Sequence, residues 1–317
     1  MLNHKTTSFR DLPDELLREA LGWALERADI AGSLRQAVEY ALIPSGKLLR
    51  PHLTLALAKD MGVDIAPLAK AAICLELIHC ASLVHDDLPA VDNDHMRRGK
   101  PSTHVAYGEA TAIFVGDYLV SHALRLLTEL DYKAEVKTEF VRVLAAANSE
   151  LVYGQQLDLL DIRSEAALIY SHARKTGALF AAAAQFAVIA SGKAHLLDLA
   201  LELGERIGCF FQLSDDFLDS FGSEELLGKP VGSDQKNQRK TFFSDGQEDG
   251  VSGQSVFSSR RGIELLKEQK EGIEALVSEL ECLRLVHSTS TYTRTRKWLG
   301  RLFSRVFDQL ALRVVNT

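Results

Sequence analysis

The chain has few of the residues that interrupt long helices, and it has no excess of positive charge. Only seven prolines occur among 317 residues, and long stretches carry no turn residue, which favours an α-helical protein. The formal net charge of -7 gives no basic surface for nucleic acid, so we exclude nucleic acid as a partner. The length allows one large domain or two ordinary ones.

The cysteines and the apolar runs give no sign of secretion or of a membrane span. The four cysteines show no CxxC spacing and sit among apolar residues, which is typical of buried free thiols in a reducing compartment. The longest apolar run, 177–190, is shorter than the roughly twenty residues that cross a bilayer. The first ten residues carry no apolar signal core. We therefore predict a cytoplasmic protein.

What the chain does have is an acidic cluster at the end of an apolar run. Asp86 and Asp87 end this run, Asp92 follows, and two arginines stand at 97–98. Carboxylates this close repel one another unless a cation or the solvent takes up their charge. For the Asp86–Asp87 pair alone, a solvated acidic loop would be the simpler interpretation.

A second acidic cluster favours a metal site over a solvated loop. Asp215, Asp216 and Asp219 end another apolar stretch, and the first and last of them, four residues apart, share one face of a helix. Like charges at this spacing destabilise an isolated helix, so a bound cation explains their presence. Mg²⁺ bridging to a phosphate is the best candidate, because Mg²⁺ binds one or two carboxylates together with phosphate oxygens, and arginines bind the remaining oxygens.

These motifs resemble those of a known family. Asp-Asp-x-x-x-x-Asp at 86–92, followed by Arg-Arg-Gly, and Asp-Asp-x-x-Asp at 215–219 look like the two aspartate-rich motifs of trans-isoprenyl diphosphate synthases. Supporting segments occur in the family's order at 46–51, 76–79, 175–177, 228–234 and 240–241. The similarity covers roughly residues 30 to 241.

The resemblance implies a prenyltransferase that condenses isopentenyl diphosphate with allylic diphosphates after Mg²⁺-assisted ionisation. It implies that Mg²⁺ is held by Asp86, Asp92, Asp215 and Asp219. It implies that the diphosphates are bound by Lys47, Arg50, His79, Arg97, Arg98, Lys229 and Lys240, and that the reacting allylic carbon is faced by Lys175, the Thr176 carbonyl and Gln212. Without the resemblance, the cations would be interpreted as surface charges and His79 as a core histidine.

Two neighbouring features are less specific. The segment 153–158 contains the family's Gly-Gln-x-x-Asp pattern, in which Gln155 or Gln156, together with Asp158, either supports the site or lies on a helix surface. We expect His85, at the end of the apolar run, to be a core histidine.

The resemblance also implies which residues set the product length. In the family, a bulky residue five positions before the first aspartate stops chain growth. That position is Ala81, Ser82 follows it, and Ile78 lies one turn deeper. A small residue leaves room beyond farnesyl, so geranylgeranyl diphosphate is the preferred product and farnesyl diphosphate is the alternative.

We predict an all-α fold, the family's antiparallel helical bundle around a central cavity, as a single domain spanning 1–317. The expected helices are 12–28, 32–42, 71–85, 111–127, 137–151 with 153–158 as its continuation, an Ala-rich helix that opens at 175–177, 196–220, 262–285 and 296–317. The segment 244–255, rich in Gly, Ser and acids, is predicted to be an inserted mobile loop. The basic amphipathic segment 296–317 either packs on the bundle or contacts a membrane surface. The family is commonly homodimeric, so we expect a homodimer.

Two other functions stay open from the sequence. A class I terpene cyclase shares Mg²⁺ and ionisation, but it should lack the isopentenyl diphosphate residues and the second full acidic motif. A non-catalytic partner subunit of a heteromeric synthase is disfavoured by the intact acidic motifs, although the C-terminal third departs from the family.

Overall fold

The computed structural model describes residues 14–159, 164–221, 243–244, 257–283 and 293–314. Within these ranges the chain is almost entirely helical, which confirms the all-α prediction. The helices are α1 (Asp14–Glu26), α2 (Gly32–Leu42), α3 (Leu49–Asp60), α4 (Ile65–Asp86), α5 (Thr103–Tyr107), α6 (Glu109–Thr128), α7 (Ala134–Asp158), α8 (Glu165–His172), α9 (Ala178–Ser191), α10 (Leu197–Phe221), α11 (Ser259–Leu283) and α12 (Thr293–Val314). A π-helical turn, Ala173–Gly177, joins α8 to α9, and a 3₁₀ turn, Ala194–Leu196, precedes α10.

Two very short strand pairs accompany the helices, and the sequence did not predict them. β1 (Met96–Arg97) pairs antiparallel with β2 (Lys100–Pro101) directly after the first acidic motif. β3 (Phe243–Ser244) pairs in parallel with β4 (Phe257–Ser258), so both ends of the segment 245–256 lie side by side. That segment, which contains most of the predicted inserted loop, lies outside the described residues.

The predicted helix bounds agree best where local signals are strong. α2 has the bounds predicted for it. α4 begins six residues before its prediction because the Asp64 side chain accepts a hydrogen bond from the Ala66 backbone N–H and caps the helix. α7 continues to Asp158, so the Gly-Gln-x-x-Asp segment is helical.

The centre of the bundle is formed by α4 and α9. α9 is rich in alanine and packs against α3, α7 and α10, while α4 packs against α1, α3 and α6. The small side chains allow close contact: a Cβ on Gly204 of α10 would lie 2.2 Å from the Ala181 backbone of α9. The two acidic motifs end α4 and lie near the end of α10, so this packing brings both to one end of the bundle.

Within the part of the chain that the structure describes, two helices, α4 and α6, are long and apolar enough to cross a membrane by length and composition alone. In α4, 72% of the apolar window is buried inside the protein, and in α6 the share is 44%. The core helix of a globular protein passes the same test, so the finding is weak evidence for a span.

The first half of α12 packs on the bundle. The Trp298 ring lies 6.5 Å from that of Phe180, and the Phe303 ring lies 5.1 Å from that of Phe210 in an edge-on contact. Both α12 residues are buried. Among the described side chains, the packing alternative for the amphipathic helix is therefore confirmed.

A buried carboxylate fixes the start of α12. Asp60, which is 1% exposed at the end of α3, accepts hydrogen bonds of 2.8 Å from both the backbone N–H and the hydroxyl of Thr295. These bonds satisfy a backbone donor in the first turn of the helix, as an N-terminal cap does. Thr295 is therefore an anchored residue of α12.

Candidate active site

One cavity of about 420 Å³ lies at the end of the bundle where the acidic motifs meet. Asp86 from α4 and Asp215 from α10 both line it. The lining also carries cations from the α2–α3 loop, from α3, from β1 and from the turn after it: Lys47, Arg50, Arg97 and Arg98. Apolar walls come from Leu83, Leu151, Phe180 and Phe211. The structure therefore brings together the residues that the sequence placed in two acidic motifs and one basic segment.

In the first acidic motif, the two adjacent aspartates have different surroundings. Asp86 lines the cavity, whereas Asp87 is 1% exposed and forms an ion pair with Arg97, whose Nε donates to it at 3.0 Å. Burial raises the pKa of Asp87, and the Arg97 guanidinium opposes that shift. Asp92 does not line the cavity, but its backbone N–H donates to the Asp86 carbonyl at 2.9 Å and folds the loop back. Asp87 thus orients Arg97 beside the aspartate that faces the cavity.

The second motif repeats this arrangement. Asp215 lines the cavity, and Asp216 accepts a 2.9 Å hydrogen bond from the Gln212 amide nitrogen. The other carboxylate oxygen of Asp216 lies 3.1 Å from Nε2 of the buried His172. The Asp219 side chain lies outside the described residues.

The π-helical turn presents the residues predicted to face the reacting carbon. Lys175 and Thr176 line the cavity together with Gln212, whose side-chain oxygen accepts a 2.9 Å hydrogen bond from the Thr176 hydroxyl. Lys175 is ion-paired with Asp158 at the end of α7. Burial alone would lower the pKa of Lys175, but Asp158, together with the nearby Asp86 and Asp216, more than offsets burial and the pKa is raised, so the ammonium stays charged. Single π turns inside helices are frequent at functional sites.

Arg50 is an unusually buried cation. It is 8% exposed and lies 4.7 Å above the Phe180 ring. Burial lowers its pKa to about 10, with Glu76 opposing the shift, so it remains charged near neutral pH. Arg98 donates to the Pro44 carbonyl at 3.2 Å and to Glu76 at 3.3 Å.

His79 lines the same basic side. Burial, and then the nearby Arg50 and Arg98, hold its pKa well below the ordinary histidine value. His79 is therefore neutral near pH 7 and offers a neutral N–H to an anion.

Lowering the pH should destabilise the protein partly through His79. Its folded-state pKa lies below the unfolded value of about 6.5, so acid adds a proton to the unfolded chain first. Stability from this group is thus complete above about pH 6.5 and falls below it, by at most about 1.4 kcal/mol per pH unit. We expect His79→Gln to flatten the fall in melting temperature between about pH 7.5 and 5.5, whereas the exposed control His195→Gln leaves it unchanged. Equal slopes in both variants would contradict this.

The structure decides between the two glutamines of the Gly-Gln-x-x-Asp segment. Gln156 is exposed, whereas Gln155 lines the cavity. Among the described residues, neither amide atom of Gln155 has a hydrogen-bond partner, although both are buried. A buried amide without partners is costly, so a ligand in the cavity is the natural source of its hydrogen bonds.

The expectation of a core position for His85 was wrong. Its side chain is 37% exposed, and its Nε2 lies 3.1 Å from the Ile113 carbonyl of α6. A Cβ on Gly116 would lie 2.0 Å from this nitrogen, so the ring is seated on the glycine. His85 therefore joins the end of α4 to α6.

The residues predicted to set the product length differ in position. Ser82 lines the cavity, whereas Ala81 and Ile78 are buried in the helix core and do not line it. The predicted diphosphate residues Lys229 and Lys240 lie outside the described residues.

Sequence reasoning gave no role to two residues of the cavity. Glu76 belongs to a supporting segment, and the signal that could have marked it is a single acid in the apolar run 71–85. Phe180 had no such signal, because one aromatic residue in an apolar helix does not reveal which cation it meets.

The donor atoms around the cavity fit Mg²⁺. Among the described side chains, no three potential ligands lie close enough to hold a metal on their own. Mg²⁺ does not require such a cage, since it is usually bound by one or two carboxylates, by phosphate oxygens and by water. Asp86 and Asp215 supply hard carboxylate oxygens to one cavity whose lining also contains Lys47, Arg50, Arg97 and Arg98.

Comparison with known proteins agrees with this geometry. A sequence model of the polyprenyl synthetase family matches residues 32–244. The chain is 38% identical to farnesyl diphosphate synthase of Geobacillus stearothermophilus over 72% of this chain and 80% of that protein. It is also 38% identical to geranylgeranyl diphosphate synthase of Rhodobacter capsulatus over 71% of this chain and 79% of that protein.

A solved structure extends the likeness to the whole fold. The polyprenyl synthase of Caulobacter crescentus, complexed with calcium and isoprenyl diphosphate, superposes with a TM-score of 0.71 at 25% identity, covering 92% of this chain and 95% of that one. The two aspartates in the cavity, the cations that line it and these relatives all indicate the same family. The chain belongs to the polyprenyl synthetase family, and its relatives support a short-chain trans-prenyltransferase.

Proposed function

We propose that the protein condenses isopentenyl diphosphate with an allylic diphosphate, with Mg²⁺ as cofactor and geranylgeranyl diphosphate as the preferred product. The observation that carries the proposal is one cavity lined both by two carboxylates, Asp86 and Asp215, and by a group of cations that includes the buried Arg50. Two diphosphates need these two environments, since one must leave its carbon and the other must stay bound. The calcium and isoprenyl diphosphate in the Caulobacter crescentus protein support the same ligand classes.

The acidic side receives the allylic diphosphate. Mg²⁺ held there by Asp86, Asp215 and the diphosphate oxygens would supply Lewis acidity to the leaving group. Arg97, oriented by Asp87, adds a guanidinium at the same edge of the cavity. The allylic C–O bond then breaks, and the electron pair leaves with the diphosphate.

The basic side holds isopentenyl diphosphate. Lys47, Arg50 and Arg98 bind its diphosphate, and neutral His79 donates a hydrogen bond without adding charge. This fixes the double bond near the allylic cation, so that the new C–C bond forms within one complex. The proton lost from the isopentenyl unit passes to the released diphosphate.

Groups between the two sides protect the cation. The Thr176 carbonyl and the Gln212 side chain offer dipoles, and the hydrogen bond that the Thr176 hydroxyl donates to the Gln212 side-chain oxygen orients that amide before substrate arrives. Phe180 and Phe211 exclude water from this wall.

Product sizing tests the proposal and its rivals together. The purified chain is incubated with isopentenyl diphosphate, Mg²⁺ and dimethylallyl, geranyl or farnesyl diphosphate, and the prenols are sized after phosphatase treatment. Chain elongation supports the proposal. Cyclic hydrocarbons would identify a cyclase, and no turnover without a second subunit would identify a regulatory partner; either result contradicts the proposal.

Farnesyl diphosphate synthase is the second candidate, because relatives of both names are equally similar. We propose that Ala81, Ser82 and Ile78 together set the limit. Only Ser82 lines the described cavity, so its small side chain is the most direct support for a longer product.

Replacing Ser82 with Phe should shorten the product. An aromatic ring at this position fills cavity space that the growing chain needs, so we expect the main product to shift from geranylgeranyl to farnesyl or geranyl diphosphate. Ala81→Phe should also shorten the product, because a ring at this buried position displaces the core residues packed around it. Ser33→Phe, at an exposed serine of α2, is the control. An unchanged product distribution in both Ser82→Phe and Ala81→Phe would contradict the assignment.

We also propose a homodimer. Five large apolar side chains are exposed on α5, at the start of α6 and near the end of α7: Val105, Ile113, Phe114, Val152 and Tyr153. Because α6 and α7 are packed against each other and joined by a short turn, the start of one and the end of the other lie at the same end. A second copy would cover this apolar face. The molar mass from light scattering should be twice 35.0 kDa.

We further propose a cytoplasmic location and a peripheral membrane contact. A cytoplasmic location is supported by Cys74, Cys80 and Cys209, which are buried free thiols. Peripheral membrane contact through 296–317 is limited by the packing of Trp298 and Phe303 on the bundle. Deletion of 296–317 should reduce co-sedimentation with liposomes if contact occurs, and unchanged binding would remove the proposal.

A further inference from the structure

Glu76 is an acidic side chain on the basic side of the cavity. It projects from α4 between apolar neighbours and is only 3% exposed. A buried carboxylate is unfavourable unless cations and hydrogen bonds compensate its charge. Its Oε1 accepts a hydrogen bond from Arg98 Nη2 at 3.3 Å, and both Glu76 and Arg50 line the same cavity.

The backbone is strained at Arg98 and just before the helix that contains Arg50. Arg98 itself has a φ of +53°, and Leu48, two residues before Arg50, has a φ of +51°. Side chains other than glycine rarely adopt this left-handed conformation, and it persists where the surrounding structure holds it. Arg98 itself, and the residue that precedes the helix of Arg50, therefore adopt conformations that the surrounding structure must hold.

Gly46 shows how closely the loop fits against this ion pair. A Cβ at Gly46 would lie 2.7 Å from Arg98 Nη2 and 3.4 Å from Glu76 Oε1. The loop that carries Lys47 thus rests directly on the Glu76–Arg98 pair. A movement of Arg98 would also disturb this loop.

We propose that Glu76 is a positioning residue that holds the Arg50 and Arg98 guanidiniums at the separation that binds the diphosphate of isopentenyl diphosphate. The inference rests on the proposed function and adds a residue for which the sequence gave no role. Two guanidiniums on one small cavity wall repel each other, and a carboxylate among them offsets that repulsion before any anion enters. Burial raises the pKa of Glu76 while Arg50 and Arg98 oppose the shift, so the carboxylate and the two cations depend on each other.

The test compares Glu76→Gln, which keeps the shape and loses the charge, with Asp60→Asn. Asp60 is an equally buried carboxylate, but it caps α12 and does not line the cavity. Binding of inorganic pyrophosphate is measured by calorimetry in EDTA, where the metal-dependent acidic side does not contribute. We expect Glu76→Gln to weaken pyrophosphate binding and to raise the KM for isopentenyl diphosphate about tenfold. The KM for the allylic substrate should change less than about twofold, because its side of the cavity is intact.

Both buried-acid variants should lose melting temperature, so stability alone does not decide the question. Asp60→Asn should bind pyrophosphate like the wild type. Unchanged or tighter pyrophosphate binding by Glu76→Gln would overturn the proposal, and so would a wild type that does not bind pyrophosphate. If Glu76→Gln does not fold, Gly46→Ala replaces it. The added methyl group on the loop would displace the Arg98 side chain and should therefore also weaken pyrophosphate binding.

The binding arm separates this inference from the proposed function. A wild type that binds pyrophosphate but does not elongate any allylic substrate would refute the prenyltransferase proposal. In that case the pyrophosphate affinities of Glu76→Gln and Asp60→Asn would still decide whether Glu76 positions the arginines.

Discussion

Asp86→Asn and Asp215→Asn should each lower kcat by about 10³-fold, which corresponds to about 4 kcal/mol of transition-state stabilisation. Each removes a charged oxygen donor from the side of the cavity where the leaving diphosphate binds. The substitution keeps the side-chain shape, and neither aspartate supports the apolar core, so the melting temperature should change little. Steady-state kinetics and thermal unfolding check the two parts of this prediction.

Asp131→Asn is the matched control, and Asp87→Asn is a comparison variant with a different expected effect. Asp131 is an exposed aspartate between α6 and α7, and its loss should leave kcat within about twofold, as for most surface changes. Asp87→Asn should instead cost stability as well as activity, because it removes the charge of the buried partner of Arg97, which then keeps its ion pair with Asp94 alone among the described residues. If Asp86→Asn lost stability while keeping its kcat, the catalytic assignment of the first motif would be wrong.

Gly154→Ala should damage both stability and activity, although the change is a single methyl group. A Cβ on Gly154 of α7 would lie 2.2 Å from the Lys175 backbone nitrogen, a distance that forces the two segments apart. Overpacking of this kind costs about 1–3 kcal/mol of stability. Because the displaced backbone is the π-helical turn that presents Lys175 and Thr176, kcat should fall by about 10²-fold. Thermal unfolding and kinetics are measured on the same preparation.

Gly22→Ala is the control for this prediction. Gly22 lies within α1, and a Cβ there would meet no atom within 4 Å. Alanine should therefore stabilise the protein by about 0.5–1 kcal/mol through its higher helix propensity, with no change in kcat. A Gly154→Ala variant that is also stabilised and fully active would show that the π-helical turn does not need its close contact with α7.

How well a residue's role could be predicted from the sequence depends on whether local signals decide it. Asp86 and Asp215 could be assigned to one site from sequence because closely spaced carboxylates have few stable uses. The bounds of α2 could be predicted because local signals set them, and α4 began earlier because the cap at Asp64 was not considered. The choice of Gln155 over Gln156 needed the rotation of α7 relative to its neighbours, which no local signal provides.

The same limit applies to the aspartate pairs and to the histidines. The sequence could not show that Asp87 and Asp216 would bind Arg97 and His172 while their neighbours face the cavity. We predicted His85 to lie in the core because it follows an apolar run. It lies at the end of α4, where its ring contacts the backbone of α6 and stays partly exposed.

By itself, the sequence determined the helical class and the acidic chemistry, because composition, spacing and charge act locally along the chain, whereas the roles predicted for the cations came from the family resemblance. Only the tertiary structure decided which carboxylate of each pair faces the cavity, where the π-helical turn presents Lys175, and that Glu76 lies among the arginines. Those features depend on contacts between helices that are far apart in the chain. Their geometry is set by side-chain volume and close glycine contacts, which become defined only when the bundle is assembled.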